Sequence, residues 1–419
     1  VEVPCDKIYS VSLPISLLEN EPPEFDLTGN AEDINGRLFN YYFDGIQSHE
    51  WKLPFSRRIE SETRMIEQDG KESFELVIPE MYLPYGTRTE DLITESKIHT
   101  DEEFNQAVND FLKYLENAVK RRVDPLPQAH PHTGSCRGGE ARLAIMFSGG
   151  IDSMLVAALA TKYFPSGEPI DLLNVAFGSW PFKVPDRETG RQGLKELRQL
   201  DPNRQWNFVE INISKDELEA NQDELFSSVF PRTTVMDMTI GPALWFGARG
   251  KGIIVKKDNI SSEDFSNREI YEEYQSTSKV LLMGNGADEQ LGGYGRHRTS
   301  HKHRGMDGLQ IELNKDTSRI WIRNLGRDDR IISSLSKESR YPFLDYDFMT
   351  FLTKTPTGLI CDFRKPSGEG EKRILREAAK QIGLTNSVRF AKRAIQFGSR
   401  ISHLTKRKKG GHITFEGYN

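Results

Sequence analysis

The sequence predicts an α/β protein built on a doubly wound parallel sheet, and three observations support this fold class. Several short apolar runs are continuous rather than alternating, which is typical of strands buried on both faces of a parallel sheet. These runs alternate along the chain with segments of helical periodicity. Two of the runs are followed by glycine-rich turns, where backbone amides can approach a ligand closely.

The composition is that of an ordinary globular protein. The chain has 419 residues, enough for two or three domains, and 37% of them are hydrophobic. Its apolar stretches fall short of the roughly 18 residues of a membrane span, and its net charge of -6 disfavours a nucleic acid as partner. Cys5, Cys136 and Cys361 are far apart and form no disulfide or zinc pattern, so we expect a reducing, cytoplasmic setting.

Two domains are expected. Residues 1–95 predict a small β-rich unit, because short alternating runs there are interrupted by proline, glycine and charged residues. A capping box at Thr100 and Glu103 then predicts a helix of about 20 residues. Residues 96–403 are expected to form the main domain.

Two segments without periodicity are predicted to be irregular. Residues 124–140 read as a linker, and His130 and His132 within it have no further metal ligand nearby in sequence. Residues 404–419 are expected to be a mobile tail.

The main domain shows the alternation of strands and helices that a doubly wound sheet requires. In such a sheet ligands bind at the carboxyl ends of the strands. Strands are predicted at 143–147, 171–177, 206–213 and 279–283, with helices near 152–162 and 188–200.

The first glycine-rich turn follows the strand at 143–147. Ser148, Gly149 and Gly150 precede a helix start, whose free amides together with the serine hydroxyl make an anion site. Asp152 would repel a bare phosphate, so its place in the first helical turn is explained if a divalent cation lies between them. The plain alternative is a strand-to-helix turn with an acidic residue near the cap.

The second glycine-rich turn follows the strand at 279–283 and reads GNGADEQLGGY from Gly284. Asp288 there could share one Mg²⁺ with Asp152, since Mg²⁺ is usually held by one or two carboxylates and phosphate oxygens. The alternative is a turn with two solvated acids. No Walker-type GxxxxGK[ST] string occurs in the chain. The basic segment from Arg296 to Arg304 is expected to be a solvated loop or a rim near this site.

These motifs carry a family resemblance. SGGIDS resembles the pyrophosphate loop of the ATP pyrophosphatase superfamily, which has the adenine nucleotide alpha hydrolase-like fold. Together with GNGADEQLGGY, RYPFLD, EKRILRE and KRAIQFGS, it resembles the synthetase domain of glutamine-dependent asparagine synthetases, over about residues 100–400. The strings VPDRETGRQGLKEL, WNFVEINIS and NLGRDDR are similar to a divergent eukaryotic branch, the asparagine synthetase domain-containing proteins.

The resemblance implies ATP and Mg²⁺ as cofactors and a role for each matching residue. Pyrophosphate and Mg²⁺ would be held by Ser148, Gly149, Gly150, Asp152 and Ser153, with Asp288 at the second metal position. The adenosine pocket would be lined by the backbone of Met146, Phe177, Met283 and Gly284. The catalytic positions would be Lys392, which neutralises charge on the α phosphate, with Asn285 and Glu289. Residues 1–95 would be the remnant of a glutaminase-type domain.

Three positions depart from the family pattern. Asn285 stands where the family has a glutamate that assists ammonia attack, and an amide cannot act as a general base. Pro242 stands where the family offers an arginine to the amino acid substrate, so a bidentate carboxylate clamp is missing there. The family's N-terminal nucleophilic cysteine has no counterpart, and Cys5 lies where the glutaminase domain ends, so no glutaminase activity is expected from these residues.

The sequence therefore supports an ATP-dependent, amide-forming ligase that takes aspartate or a related small carboxylic acid and ammonia from a glutamine donor. The alternative is an ATP-binding pseudoenzyme or scaffold, which Asn285 and Pro242 favour. A third reading, a nucleic-acid-modifying adenylase, conflicts with the acidic charge balance. We expect no nucleic-acid or membrane partner, and a homodimer stays open.

Overall fold

The protein divides into two units, residues 1–79 and 80–419. A computed structural model describes the backbone of four strands in the first unit. In the second unit it describes residues 99–124, 126, 140–232, 234–255, 271–390 and 393–404. Most of the predicted linker at 124–140 lies outside the described residues, as do residues 405–419 of the predicted tail at 404–419 and the cysteines Cys5 and Cys136.

The described part of the first unit consists of antiparallel strand pairs. One pair joins β1 (Lys7–Val11) to β2 (Ile46–Glu50), and the other joins β3 (Glu62–Gln68) to β4 (Lys71–Val77). These strands agree with the β-rich character that the alternating runs predict for this part of the chain.

Seven strands of the described residues form the central sheet of the second unit, in the order β11-β10-β5-β6-β7-β8-β9. The five strands from β11 to β7 are parallel, and β8 and β9 extend the sheet as antiparallel neighbours. The strands are β5 (Leu143–Met146), β6 (Ile170–Phe177), β7 (Trp206–Ile213), β8 (Lys251–Val255), β9 (Tyr271–Gln275), β10 (Val280–Leu282) and β11 (Glu338–Arg340).

The helices of the second unit follow in chain order. They are α1 (Asp101–Val123), α2 (Ile151–Tyr163), α3 (Pro185–Leu200), α4 (Lys215–Ala220), α5 (Gln222–Val229), α6 (Asp237–Arg249), α7 (Ala287–Gln290), α8 (Gly295–Ser318), α9 (Gly326–Ser334), α10 (Tyr346–Lys354), α11 (Thr357–Ile360), α12 (Arg373–Gln381), α13 (Ile395–Gly398) and α14 (Ile401–Leu404). A π-helical turn, Trp321–Leu325, joins α8 to α9, and 3₁₀ turns occupy Pro342–Leu344 and Ser387–Arg389.

Both faces of the sheet are buried under helices, which explains why its strands read as continuous apolar runs. In β5, Leu143 and Ile145 belong to the core shared with α1 and α2, whereas Ala144 belongs to the core shared with α6 and α9. In β10, Leu281 faces the second of these cores. The prediction of a doubly wound α/β fold is therefore confirmed.

The chain order of the strands locates the ligand-binding edge. β5 comes first; β6 and β7 lie on one side of it, and β10 and β11 lie on the other. The order in which successive strands are added therefore reverses between β5 and β10, and ligands of open α/β sheets bind outside the carboxyl ends of strands at such a switch point. Both glycine-rich turns follow these two strands.

Two further predictions can be compared with the structure. The capping box at Thr100 is present at the start of α1, which is 23 residues long. The basic segment from Arg296 to Arg304 is helical rather than a loop, since it lies within α8, which Gly305 interrupts with a φ of 64°. No helix in the described ranges is long and apolar enough to cross a membrane.

Candidate functional site

The first glycine-rich turn is fixed against helix α3. Gly149 has a φ of +75°, and a Cβ there would overlap the backbone of Thr189. The Thr189 hydroxyl donates to the Ser148 carbonyl oxygen at 2.7 Å, and the Gly150 amide donates to the Ser148 hydroxyl at 3.2 Å. Only glycine fits at position 149, because both the backbone angle and the close approach exclude a side chain.

The second glycine-rich turn lies against the first. Gly286 adopts a φ of +95°, and a Cβ there would overlap the side chain of Leu344. A Cβ on Gly284 would come within 3.2 Å of the Asp152 Cβ. The two turns are therefore in contact at the switch point, as the shared edge of β5 and β10 requires.

A buried lysine joins the acidic residues of the two turns. The Lys372 Nζ lies 2.8 and 2.6 Å from the two carboxylate oxygens of Asp152 and 2.6 Å from Asp288 Oδ1. Burial lowers the pKa of Lys372, but the carboxylates of Asp152 and Asp288 outweigh it and hold that pKa above its usual value. Asp152, Asp288 and Lys372 are called the ionic centre below. Its net charge is negative, since two carboxylates face one ammonium.

The backbone around Lys372 is shaped to bring its side chain inward. Lys372 adopts left-handed backbone angles at the start of α12, and its amide donates to the Leu291 carbonyl oxygen at 2.9 Å. A Cβ on Gly293 would overlap the Asp288 carboxylate and lie 2.5 Å from the Lys372 Cε. The glycine therefore leaves the space in which the lysine reaches both carboxylates.

A cavity of about 380 Å³ opens over the ionic centre. Its volume is in the range of small-molecule sites. Apolar side chains from the sheet and from α6 form one part of its wall, namely Met146, Val175, Ile240, Leu244 and Met283. Charged and polar groups form the rest, among them Asp186, Asn285, Arg296, Arg323, Asn324 and Arg393.

Asn285 belongs to a buried polar network. Its Nδ2 donates to Asp328 Oδ2 at 2.6 Å. Arg327 bonds both Asp328, at 2.6 Å, and Asp237, at 2.8 Å. Burial raises the pKa of Asp328, which Arg327 and Asn285 oppose. An amide therefore suits position 285 because the neighbour it meets there is a buried carboxylate.

Glu289 is held by the neighbouring elements. It is buried, and its Oε1 accepts from the Tyr294 hydroxyl at 2.5 Å and from Asn324 Nδ2 at 3.0 Å. Burial and the nearby carboxylates of Glu289 and Asp288 raise the pKa of Tyr294 well above its ordinary value. Tyr294 thus stays a hydroxyl donor to Glu289 near neutral pH.

Asp186 is another buried acid beside the cavity. It lies in the first turn of α3, and a Cβ on Gly398 would overlap its carboxylate, so the segment around α13 packs directly on it. Burial raises the pKa of Asp186 to about 7, which the charge of Arg393 partly opposes. The carboxyl therefore titrates near neutral pH.

Most of the predicted site residues are brought together at this cavity. Those that line it are Met146, Ser148, Gly150, Asp152, Ser153, Met283, Gly284, Asn285, Asp288 and Glu289. Gly149 packs on α3, and the buried Phe177 packs its ring on Phe246 while its amide donates to the Ser399 carbonyl oxygen. Lys392 lies outside the described residues.

Sequence reasoning missed the role of Lys372. The signal was present, because Lys372 belongs to EKRILRE, one of the strings that carry the resemblance. The contact with Asp152 spans 220 residues of sequence, so only the fold reveals it. Asp186 was missed for a similar reason, since its burial depends on Gly398.

Comparison with known proteins assigns the chain to a family. The family model for asparagine synthase matches residues 299–409. Asparagine synthetase domain-containing protein 1 of Mus musculus is 42% identical over 348 residues, which are 73% of this chain and 54% of that protein. The chain belongs to the asparagine synthase family. The resemblance stated from the motifs is thereby confirmed.

Other relatives within the asparagine synthase family are more distant. An asparagine synthetase domain-containing protein of Saccharomyces cerevisiae is 30% identical over 373 residues, covering 83% of this chain and 65% of that protein. The glutamine-hydrolyzing asparagine synthetase of Mus musculus is 23% identical over 283 residues, which cover 67% of this chain and 41% of that protein. The chain spans about half the length of the curated relatives named asparagine synthetase domain-containing protein 1.

Proposed function

We propose that this chain is an ATP-dependent ligase that activates a small carboxylic acid for amide formation. A carboxylate oxygen of the acid attacks the α phosphorus of ATP, the bond to the β phosphate breaks, and pyrophosphate leaves. Ammonia or an amine then attacks the acyl carbon, loses a proton, and displaces AMP. Aspartate or a related acid is the acceptor that the family suggests, and ammonia from glutamine is the corresponding donor.

The observation that carries this proposal is the ionic centre at the switch point of the sheet. Two turns rich in backbone amides converge there below a cavity, and each contributes one carboxylate. Helix N-termini and glycine-rich turns favour phosphate, while carboxylates alone would repel it. The combination therefore suits a phosphate chain that arrives with a metal ion.

The donor set fits Mg²⁺. The Asp152 and Asp288 carboxylates both contact the Lys372 ammonium, so they lie close enough together to share a second cation on the cavity side of that lysine. The described residues include no cluster of three or more side chains that could bind a metal ion. Mg²⁺ is commonly held by one or two carboxylates, with phosphate and water oxygens completing the octahedron. When bound, it would neutralise phosphate charge.

Lys372 supplies a fixed positive charge beside the phosphates. Because its ammonium is buried and already held by two carboxylates, little reorganisation is needed to face the charge that develops on the α phosphate. This is the role that the resemblance implies for Lys392. Lys372 would perform it from beneath the carboxylates of Asp152 and Asp288, which line the cavity.

The apolar wall suits the base of the nucleotide. Met146 ends β5, Met283 directly follows β10, and Leu244 lies on α6; all three line the cavity. Apolar side chains of this kind bury an aromatic ring favourably. The phosphates would then extend from this wall to the ionic centre.

A second candidate function is an ATP-binding pseudoenzyme. The bond from Asn285 to Asp328 favours it, because this amide occupies the position of the family's glutamate and cannot accept a proton from the amine. In that case the nucleotide binds, but no acid is converted.

An exchange assay separates the two candidates. The label of radioactive pyrophosphate should appear in ATP when the protein, Mg·ATP and a carboxylic acid are present, because adenylation is reversible.

Asp152→Asn should weaken Mg·ATP binding by about tenfold or more, the loss expected when one charged ligand is removed. Calorimetric titration with Mg·ATP measures it.

The matched control is Asp216→Asn, which changes an exposed acid in the first turn of another helix. It should leave Mg·ATP affinity unchanged. Equal affinity for wild type and Asp152→Asn would refute the metal assignment. Binding of Mg·ATP without exchange for any acid in a broad panel would support the pseudoenzyme instead.

A further inference from the structure

Six carboxyl side chains of the described residues line the cavity, and five of them already have partners. These five accept hydrogen bonds from neighbouring side chains or form ion pairs with them, and they are Asp152, Asp288, Glu289, Asp316 and Asp328. Asp186 differs, because the described residues give its carboxylate neither a hydrogen-bond donor nor an ion pair. It is therefore the carboxyl of this cavity that is open to a reactant.

Asp186 is held beside the first glycine-rich turn. The side-chain amide of Asn174, on β6, donates to the carbonyl oxygen of Phe147, directly before the turn, and to that of Asp186, at 2.8 and 2.9 Å. From the other side, a Cβ on Gly398 would overlap the carboxyl atoms of Asp186, so the segment around α13 packs directly on them. These contacts fix the carboxyl at the cavity wall, next to the turn that would hold the phosphates.

The surroundings of Asp186 favour a group that takes up and releases a proton. The residue is 7% exposed, and burial raises the pKa of its carboxyl to about 7. Arg393, which precedes α13 and lines the cavity, partly opposes this rise, while the β6 side chain that reaches Asp186 is the uncharged Asn174. A catalytic base works best when its pKa lies near the working pH.

The second step of the proposed reaction requires such a base. When an amine attacks the acyl carbon, its nitrogen gains a positive charge and must lose a proton before the amide forms. Asn285 cannot take this proton, because an amide is not a base and its Nδ2 already donates to Asp328. Asp152 and Asp288 are unsuitable as well, since both are held by the Lys372 ammonium.

We propose that Asp186 is the proton acceptor for the amine that attacks the activated acid. The inference rests on the proposed function and names the group that completes its second step. The nitrogen lone pair forms the bond to the acyl carbon, and the bond from that carbon to the AMP oxygen breaks with its electron pair. The N–H proton passes to a carboxylate oxygen of Asp186, which later returns it to water.

The experiment compares two nucleophiles that differ in their need for a base. Ammonium chloride or hydroxylamine is supplied to the full chain with Mg·ATP and the acid that supports the fastest pyrophosphate exchange in a panel that includes aspartate. The amide or the hydroxamate formed is then quantified. Hydroxylamine is the less basic amine, so its adduct loses a proton more readily and depends less on a protein base. Wild type should form both products.

Asp186→Asn should slow amide formation from ammonia by about a hundredfold or more, the loss expected of a removed general base. Pyrophosphate exchange should stay at the wild-type rate, because adenylation involves no proton from an amine, and hydroxamate formation should fall far less than amide formation. Urea unfolding verifies that the variant is folded. The matched control is Glu188→Gln, which changes an exposed acid on the same helical turn and should leave all three rates unchanged.

The assignment is overturned if Asp186→Asn forms the amide from ammonia at the wild-type rate. It is also overturned if the variant slows exchange and both nucleophiles to the same degree, since Asp186 would then act in binding or in adenylation. Absence of exchange with every acid would refute the proposed function itself and is seen in wild type. Failure of the base is seen only in the variant, so the two failures can be told apart.

Discussion

At the scale of single residues, Asn285 and Asp328 behave as a matched pair. The amide of Asn285 donates to a carboxylate that is almost completely buried, and Arg327 holds that carboxylate from the other side. A glutamate at position 285 would set two carboxylates against each other in a site with little water. The departure from the family pattern is therefore compensated within the fold, and reversing it takes more than one substitution.

Asn285→Glu alone should destabilise the protein by about 2 kcal/mol or more, because the new carboxylate faces Asp328 without a hydrogen bond between them. It should not raise amide formation. The double variant Asn285→Glu with Asp328→Asn should recover most of the stability, since the asparagine can donate to the glutamate. Urea unfolding of the single and double variants gives the coupling energy, with Asn285→Gln as the control that keeps an amide. A stable single variant with raised amide synthesis would contradict the pairing.

Asp186 makes the stability of the main domain depend on pH. Its folded pKa of about 7 exceeds the ordinary value of 3.8, so the folded protein holds this proton more tightly than the unfolded chain does. Stability is therefore lost as the pH rises from about 4, and the loss is complete once the pH passes about 7.

Asp186→Asn should remove this dependence, because the amide stays neutral. As the pH rises from about 5 to about 8, the wild type should lose about 2 kcal/mol of unfolding free energy through Asp186, and the variant should not show this loss. Urea unfolding at both pH values measures the change, and Glu188→Gln, which alters an exposed side chain on the same turn, is the control. A difference between variant and wild type that is the same at both pH values would show that Asp186 does not hold its proton.

At the scale of elements, helix α3 determines the shape of the first glycine-rich turn. Thr189 bonds the turn directly, and Asn174 of β6 donates to the carbonyl oxygens of both Phe147 and Asp186, at 2.8 and 2.9 Å. The turn is thus held between a strand and a helix, so its amides are oriented before a ligand arrives. Such preorganisation reduces the ordering cost of binding.

Gly149→Ala should be destabilised by about 2 kcal/mol or more, because the new methyl group overlaps the backbone of Thr189 at a positive φ. Thermal unfolding measures the effect. Gly167→Ala is the matched control, since a Cβ there has no neighbour within 4 Å. If both variants melt at the same temperature, the close packing of the turn on α3 is disproved.

The sequence predicts the regular elements well where their signals are local. Apolar runs mark β5, β6, β7 and β10, and the capping box marks α1, because each signal arises from neighbouring residues. The π-helical turn at Trp321–Leu325 has no such signal, and the basic segment at 296–304, for which we expect a solvated loop or a rim near the site, is helical. In both cases contacts with distant parts of the fold decide the conformation.

At the scale of the whole molecule, the two turns of the site could be predicted from strand order, since parallel strands bring their carboxyl ends to one edge. The pairing of Asp152 and Asp288 follows from that rule. The position of Lys372 between them does not follow from strand order, because it depends on the space left by Gly293 and on the left-handed backbone angles of Lys372. Nor do the ion pairs of Arg296 and Arg319 with Asp316, because the Arg296 pair joins the two parts of α8 across the break at Gly305.

The ionic centre also constrains when a growing chain can acquire its site. Asp152 and Lys372 are separated by 220 residues, and Asp288 lies between them. A fragment that ends before Lys372 has both carboxylates but lacks the ammonium group that offsets their mutual repulsion. Emergence of residue 372 from the ribosome is therefore the earliest moment at which the centre can close, and it comes after both carboxylates and the strands β5 and β10 have emerged.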